Sequence, residues 1–589
     1  MVSLEAAGLI ALPVLAFFLL RLRLMPYPDL NDPAMHTTFI VDPRDIFERY
    51  SDLFTPTARL REGARVGLLV PARLAYLAFG PLGGFVVFRY VLALVAIVPA
   101  YLLMRRIAGV AAGLTAALVV LTCPVILTAW GTDFPDSSSV SYLIGALACL
   151  AMPSARHAVR WGVAAVVLLT LAAWAFATSA VIGGCFVLVY LVLRWVRARE
   201  HLGRDAAIAT GAALATTAVL AVASAALLGQ LDFITPTLAS LLFLSHPDQT
   251  ATWHSSNPAW LPYETYLLVL PAIALSWPLS LTRPLRGVPT PHLVVGGGFV
   301  AALAVAALLQ FAGSTQMLEE HYFSSLSWAA AMLTLSLVLA VAGRPLLEHP
   351  AWRWSLPAMV VAVALAYEAV PGVSTLASPA ALVGVAIVAV LVAAAVLRFR
   401  AGRPGTLALL CAFDAALLLI TVTPATTYSA SDGVVASPAP QLSGALGGGD
   451  QGAVDIYQVT TQLPGFVGPA AYPGQRLMTW WPDAERPQIV EPIGIFHAYF
   501  TSIRPASVGG NPAPGETFGV LSPDDVTRLE QVRPALVLLM TLHQQDRFGD
   551  CLSALGPYQP RVLKTGALTS GAYTLHVELI ELGTFSRAA

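Results

Sequence analysis

Long apolar stretches recur through the first 425 residues of this sequence, and they restrict the fold more than any other feature. About 20 helical residues cross the hydrocarbon core of a bilayer, so each stretch of that length predicts a membrane-spanning helix. Hydrophobic residues make up 57% of the 589-residue chain, whereas typical soluble domains contain about 45–50% apolar residues. The sequence therefore predicts a polytopic α-helical membrane protein.

We predict about 13 transmembrane helices in this part of the chain. The first is interpreted as a retained span rather than a signal peptide, because it lacks an A-x-A cleavage site. The fifth and sixth come from a single apolar run at 161–194, which is too long for one span and is divided at Thr178 and Ser179. The predicted spans are 4–24, 82–104, 108–129, 138–152, 161–177, 179–194, 206–229, 264–282, 293–312, 324–343, 355–372, 379–397 and 406–425.

The placement of arginine predicts the orientation of these spans. Loops on one side are rich in arginine, whereas loops 131–137, 230–263, 313–323 and 373–378 on the other side contain neither Arg nor Lys. The positive-inside rule makes the arginine-rich side cytoplasmic, together with the N-terminus. Loop 25–81 is then extracytoplasmic, although it also contains Arg44, Arg49, Arg59, Arg61, Arg65 and Arg73.

The composition changes after residue 425. Residues 426–450 form a linker rich in Gly, Ser and Pro, and residues 451–589 predict a soluble extracytoplasmic α/β domain. Strands are predicted at 476–481, 535–540 and 573–582, and a helix with a serine N-cap at 522–532. The sequence contains no phosphate-binding glycine motif that would indicate a nucleotide site.

The predicted exterior loops 25–81, 131–137, 230–263 and 313–323 contain most residues that could take part in chemistry. Ionisable groups at membrane depth cost at least a few kcal/mol unless they are paired or hydrated, so these acids predict the rim of a water-filled cavity. The first half of loop 230–263 predicts an amphipathic helix at the membrane interface. Structural interpretations stay open: Asp32 and Asp42 also fit helix N-caps before proline, and Asp133 and Asp136 fit a solvated turn around Pro135.

Three short segments resemble motifs of the GT-C glycosyltransferase superfamily, in particular its protein mannosyltransferase and aminoarabinose transferase branch. They are Asp32-Pro33-Ala34-Met35-His36, which stands where that branch has Asp-Glu-x-x-aromatic, TDFPDS before the fourth span, and LEEHYFSSLSW entering a later span. Two departures are Pro33 in place of Glu and the absence of a Trp-Trp-Asp oligosaccharyltransferase motif from the exterior loops.

The resemblance implies an inverting membrane glycosyltransferase that moves a sugar from a polyprenyl-phosphate donor to a cell-envelope glycan, lipid or protein on the extracytoplasmic face. It implies that Asp32 is the general base and that Asp133 and Asp136 orient the sugar or acceptor. Guanidinium groups suit a phosphate because they offer two parallel donors. The residues expected to bind the donor phosphate and lipid are Arg59, Arg61, Arg65, Arg89, His321 and Tyr322. Those expected to bind substrate are Asp29, His36, Asp45, His246, Trp253, His254, Glu319 and Glu320.

Cofactors and partners are less defined by the sequence. No cofactor is predicted, a divalent cation is left as an option, and the expected partners beyond donor and acceptor are membrane lipids. The net charge of −1 gives no indication of a nucleic-acid partner. The preference for Arg over Lys is typical of a GC-rich genome, and we expect a plasma-membrane enzyme of actinobacterial type.

Two other functions compete with this one. A transporter or flippase for a lipid-linked or anionic solute would require mid-span ionisable residues and broken helices in two matching halves. The sequence has few such residues and no repeated halves. A non-catalytic envelope scaffold would use the C-terminal domain to bind partners.

Overall fold

A computed structural model gives the fold as a set of apolar helices followed by a mixed β-sheet. The residues it describes are 2–19, 63–122, 135–152, 158–197, 202–229, 232–238, 290–311, 476–480, 504–508, 533–541, 547–570 and 573–586, with shorter stretches that include His36, Trp130 and Phe466. They belong to two compact units, which are described separately. The helical unit falls within 1–25, 54–74 and 86–433, and the sheet unit within 26–53, 75–85 and 434–589.

Eight long helices are described in the first part of the chain. They are α1 Val2–Leu19, α2 Val66–Ala108, α3 Val110–Thr122, α4 Pro135–Leu150, α5 Ala158–Ala175, α6 Ala177–Arg197, α7 Leu202–Leu228 and α8 Thr290–Phe311. By length and composition, three segments within them are able to cross a membrane: Gly83–Ala108, Ala177–Val196 and Gly203–Leu228. The apolar segments of the other described helices are shorter, at 10–17 residues. The count of 13 spans stays a prediction, since 264–282 and nearly all of 324–425 lie outside the described residues.

The division of the long apolar run at 161–194 is confirmed. Helix α5 ends at Ala175 and α6 begins at Ala177, so the break falls at Phe176, two residues before the predicted position. Helix α5 packs against α4, α6 and α7, and α8 packs against α6 and α4. The interior of this packing consists mainly of Ala, Leu, Val and Ile side chains.

The predicted loop 25–81 is too long at its C-terminal end. Helix α2 begins at Val66 and continues past Gly80, where the backbone leaves the helical region with φ +79°. A left-handed φ of this size favours glycine. Pro71 and Pro81 suggest a loop in the sequence, yet Val66–Gly80 forms a short apolar helix ahead of the bend. Arg73, predicted in a loop, is therefore helical.

Two arginines at one end of the helical unit have defined partners. Glu5 at the start of α1 pairs with Arg105 at the end of α2, with 2.8 Å between the carboxylate and guanidinium atoms. Arg106 lies over the ring of Trp161 near the start of α5, 5.4 Å from its centroid. Because α2 and α5 run in opposite directions, this end of the unit holds the C-terminus of one helix and the N-terminus of the other. The candidate site lies toward the other end of α2, around Arg89.

The sheet unit contains a five-stranded sheet with the order β2-β1-β3-β5-β4. Its strands are β1 Arg476–Trp480, β2 Arg504–Val508, β3 Leu536–Thr541, β4 Pro560–Ser570 and β5 Tyr573–Leu582. β1 pairs in parallel with β2 and β3, whereas β5 pairs antiparallel with β3 and β4. The three predicted strands are confirmed as β1, β3 and β5. β2 and β4 were not predicted. β2 is short and contains a proline, and β4 is rich in polar residues, so neither shows the alternation of apolar residues that is typical of a strand.

Two short helices accompany the sheet. They are α9 Phe548–Ala554 and α10 Gly583–Ser586, with a 3₁₀ turn at Gly556–Tyr558. Phe548 and Cys551 of α9 are buried with Trp480, Leu539 and Ile580 of the strands, so they form one face of the core. The predicted helix 522–532 lies mostly outside the described residues, and the four of its residues that are described are helical. That the unit is a soluble extracytoplasmic domain stays a prediction.

Glu578 on β5 places a carboxyl group in the interior of this unit. It is 9% exposed, opposite Leu539 on β3 and Thr565 on β4. The Thr565 hydroxyl donates to Oε1 at 3.3 Å, and Oε2 has no hydrogen-bond partner in the structure. Burial raises the pKa of Glu578 above its ordinary value of about 4.5, and the Thr565 hydrogen bond opposes this only in part. Between the unfolded-state pKa and the raised folded-state pKa, the folded protein therefore holds a proton that the unfolded chain has released.

This raised pKa predicts a pH dependence of stability. The stabilisation from protonated Glu578 is complete below about pH 4.5 and is lost as the pH rises through the folded-state pKa. The Glu578→Gln variant should therefore become more stable relative to the parent chain as the pH rises from about 4.5 through the folded-state pKa of Glu578. The measurement is thermal unfolding of the sheet unit in the full chain. Glu581→Gln is the control, because Glu581 is paired with Arg561 at 2.6 Å. If the unfolding temperature changed equally with pH in the parent chain and in Glu578→Gln, the prediction would be contradicted.

Candidate functional site

The candidate site lies at the end of the helical unit opposite the Glu5–Arg105 pair. Arg89 precedes Arg105 by 16 residues on the continuous part of α2, which corresponds to about 24 Å along a helix. A chain of contacts connects this end: Arg89 bonds the carbonyl of Trp130, the Trp130 indole bonds helix α4, and α4 bonds Gly67, which packs against the end of α5. Several polar groups at this end are buried and hydrogen-bonded.

Arg89 is the central charged group. Its side chain is only 1% exposed, and its Nε donates a hydrogen bond of 2.6 Å to the carbonyl of Trp130. A buried cation is costly unless polar groups surround it, so this contact stabilises the guanidinium while fixing the backbone of Trp130. Trp130 immediately precedes the GTDFPD segment, residues 131–136.

Trp130 is held on its other side by helix α4. Its indole Nε1 donates to the Ser141 hydroxyl at 2.7 Å, and that hydroxyl donates to the Ser137 carbonyl at 3.0 Å. Ser141 thus uses its hydroxyl both as acceptor and as donor. All three residues are buried. We call the group formed by Arg89, Trp130, Ser137 and Ser141 the Trp130 clasp.

The start of α4 is unusually polar for a buried helix end. Pro135 is its first residue and Asp136 its second, an arrangement that suits proline because its missing N–H has no helical partner there. Ser137, Ser138 and Ser139 follow, and each is no more than 2% exposed. The predicted turn around Pro135 is therefore the first turn of a helix.

A second set of contacts ties α4 to the start of α2. The Tyr142 hydroxyl donates to the Gly67 carbonyl at 3.3 Å. Gly67 itself packs against the backbone at the end of α5, where an added Cβ would lie 2.5 Å from the Ala175 nitrogen and 2.9 Å from the Trp174 carbonyl carbon. Only glycine allows this approach without a shift of one helix.

Arg65 is the other cation at this end of the unit. It directly precedes α2, and its guanidinium lies over the ring of Phe176, 5.3 Å from the centroid. The residue is only half-buried. Arg65 is therefore more accessible to a ligand than Arg89, and its cation–π contact with Phe176 restricts where it points.

Few of the predicted site residues fall within the described structure. Arg65 and Arg89 are both at the site, and Asp136 is placed there by its backbone position in α4. The assignments of all predicted site residues stay predictions. The others lie outside the described residues: Asp29, Asp32, Asp45, Arg59, Arg61, Asp133, His246, Trp253, His254, Glu319, Glu320, His321 and Tyr322.

His36 belongs to the sheet unit. It is completely buried, as are Phe39, Ile40 and Pro43, and all four residues are helical. This spacing of three, four and seven residues places them on one face of a helix. The burial of His36 favours a packing role within its unit over direct contact with a substrate.

Asp232 shows how loop 230–263 begins. Its carboxylate accepts hydrogen bonds from the backbone N–H groups of Thr235 and Ile234, at 3.0 and 3.1 Å, and residues 234–238 are helical. The hydrogen bonds from Thr235, followed by that from Ile234, lower the pKa of Asp232. The predicted amphipathic helix thus has a capped start, and the rest of the predicted segment lies outside the described residues.

Sequence reasoning missed Trp130, Ser141, Gly67 and Phe176. The run Ser137-Ser138-Ser139-Val140-Ser141 was a usable signal, since hydroxyl groups at the start of an apolar span require partners. Gly67 and Phe176 gave no such signal, because their roles depend on which helices meet. Among the described residues, no group of three or more His, Cys, Asp or Glu side chains is placed to hold a metal ion.

Comparison with solved structures gives matches along most of the chain. The structure is similar to ArnT from Cupriavidus metallidurans in the apo state, with 15% identity over 98% of both chains and a TM-score of 0.42. For the same protein bound to undecaprenyl phosphate, the identity is 16%, over 98% of this chain and 97% of that chain, and the TM-score is 0.40. The oligosaccharyltransferase of Archaeoglobus fulgidus in the apo form matches with 12% identity, over 93% of this chain and 71% of that chain, and a TM-score of 0.39.

No protein-family model matches the chain, and no curated protein matches its sequence.

Proposed function

We propose that this protein is an integral membrane glycosyltransferase that transfers a sugar from a polyprenyl-phosphate donor to a cell-envelope acceptor on the extracytoplasmic face. The observation that carries the proposal is the buried guanidinium of Arg89 held against the carbonyl of Trp130, directly before the acidic segment 131–136. A buried arginine fixed beside a short acidic segment suits a reaction in which an anion leaves and a hydroxyl loses its proton.

The reaction would be a single displacement with inversion. The acceptor oxygen forms a new bond to the anomeric carbon while the bond from that carbon to the phosphate oxygen breaks. The phosphate leaves with the bonding electron pair, and the acceptor proton passes to a carboxylate, for which Asp32 is the proposed base. Asp133 and Asp136 are proposed to orient the sugar or the acceptor. The protein then contributes mainly orientation, a base and charge stabilisation.

The two described arginines are proposed to have different roles. Arg65 is half-buried and lies on an aromatic ring, so it is able to contact the donor phosphate directly. Arg89 is 1% exposed and uses its Nε on the Trp130 carbonyl, so it acts on the backbone before the acidic segment and supplies a fixed positive field. From the sequence, both residues were expected to bind the donor phosphate, whereas their different burial supports two different roles.

A kinetic comparison tests this proposal. The full chain in lipid nanodiscs is supplied with a panel of polyprenyl-phosphate pentoses and hexoses and with envelope glycan, glycolipid and peptide acceptors. We expect release of polyprenyl phosphate matched by sugar added to one acceptor class. Arg65→Gln should raise the KM for the donor about tenfold, since a charge-assisted hydrogen bond contributes about 1.5–3 kcal/mol.

Arg105→Gln is the matched control, because it removes an arginine from the same helix at the opposite end, where it pairs with Glu5. Its donor KM should stay close to that of the parent chain. Equal increases in both variants would contradict the role of Arg65. Movement of the lipid-linked sugar across the membrane of a proteoliposome, with no sugar transferred to any acceptor, would replace the proposal with a transporter.

A further inference from the structure

The Trp130 clasp connects the two residues that flank segment 131–136. Trp130 precedes the segment, Ser137 follows it, and the Ser141 hydroxyl is hydrogen-bonded to both. The Ser141 oxygen accepts from the indole of Trp130 and donates to the carbonyl of Ser137. Both ends of the segment that contains Asp133 and Asp136 are therefore fixed to the same atom on helix α4.

The hydrogen bonds of the Trp130 clasp hold both the side chain and the backbone of Trp130. An indole N–H is a donor only, so a buried tryptophan requires an acceptor, and the Ser141 hydroxyl is that acceptor. The carbonyl of Trp130 is held independently by Arg89 at 2.6 Å. Trp130 is thus fixed through its backbone by α2 and through its side chain by α4, and it is 0% exposed.

We infer that Trp130 and Ser141 are positioning residues: their hydrogen bonds fix the two chain positions that flank the acidic segment 131–136, and transfer depends on them. The inference deepens the proposed function and rests on it for the identity of the reaction. Neither residue is expected to contact substrate, since both are fully buried. Trp130 and Ser141 would affect the rate of transfer through the position of the acidic segment. Such an effect is large enough to measure, because misplacing a reacting group by about 1 Å costs on the order of a hundredfold in rate.

A double-mutant cycle distinguishes positioning from general destabilisation. We expect Ser141→Ala and Trp130→Phe each to lower kcat about tenfold, with the donor KM changed less than about twofold. The double variant should be no worse than either single variant, because both remove the same hydrogen bond. Ser224→Ala is the control. Its hydroxyl is buried in α7 and has no hydrogen-bond partner in the structure, so its loss should leave kcat unchanged.

Amide hydrogen exchange of the full chain in nanodiscs supplies a readout independent of activity. Exchange in peptides covering 131–136 should be about tenfold faster in Ser141→Ala than in the parent chain and unchanged in Ser224→Ala. Unchanged exchange in Ser141→Ala, or additive effects of the two substitutions on kcat, would overturn the inference. If the parent chain transfers no sugar at all, the proposed function fails while the exchange experiment still decides whether the clasp orders the segment.

Discussion

Replacing Asp32 by Asn is expected to lower sugar transfer by about a hundredfold to ten-thousandfold, because a general base contributes a factor of that size. Asparagine keeps the shape of the side chain but cannot take the proton of the acceptor hydroxyl. The measurement is the rate of transfer by purified protein in nanodiscs at saturating donor. Binding of the donor should change little, since the substitution removes the base and leaves the proposed phosphate-binding arginines in place.

Asp42→Asn is the matched control for this experiment. It lies in the same predicted exterior loop and changes the same chemical group, and the sequence assigns it to a helix cap. Asparagine is about as good an N-cap as aspartate, so Asp42→Asn should be close to neutral. Turnover of Asp32→Asn near that of the parent chain would remove Asp32 from the reaction and turn attention to Asp133 and Asp136.

Replacing Gly67 by Ala adds one methyl group, and we expect it to lower the stability of the helical unit more than any other substitution of that size at the site. The added Cβ would meet three backbone atoms at the end of α5, including the Ala175 nitrogen at 2.5 Å. Backbone atoms cannot rotate away, so α2 and α5 must separate. Overpacking of this kind typically costs about 1–3 kcal/mol, and the loss of the Tyr142 contact to the Gly67 carbonyl would add to it.

Gly162→Ala on α5 provides the comparison for Gly67. Nothing lies within 4 Å of a Cβ at Gly162, so alanine should stabilise the helix by about 0.5–1 kcal/mol. Thermal unfolding in detergent, followed for both variants and the parent chain, measures the difference. Similar unfolding temperatures for Gly67→Ala and Gly162→Ala would mean that the helices meet less closely at Gly67 than the structure indicates.

Much of the local fold was predictable from the sequence. Apolar runs located α1, α4 to α8 and most of α2 and α3, because a helix in an apolar environment needs only sufficient hydrophobic length. Alternating or continuous apolar residues located β1, β3 and β5. The start of α2 at Val66 was missed, since prolines and glycines suggest a loop in sequence but are tolerated in helices when neighbouring helices pack against them.

The site was predictable only as a set of residue types. Arg89 was predictable as a site residue because an arginine within an apolar span needs a partner. That it bonds the backbone carbonyl of Trp130 is not revealed by any sequence pattern. Arg65 and Phe176 are distant in sequence and meet only because α2 and α5 are neighbours. Contacts of this kind depend on packing, and a single sequence contains no direct record of which helices touch.

The contact between Lys564 and Phe466 has a practical consequence. Lys564 is the single lysine in the chain, and its ammonium donates to the Phe466 carbonyl at 2.7 Å while lying 4.5 Å from the centre of the Phe466 ring. A reagent directed at lysine amines therefore has one side chain to modify. Reaction there requires the amine to lose its proton and leave that carbonyl, so covalent labelling of this protein would report the release of one defined contact rather than an average over its surface.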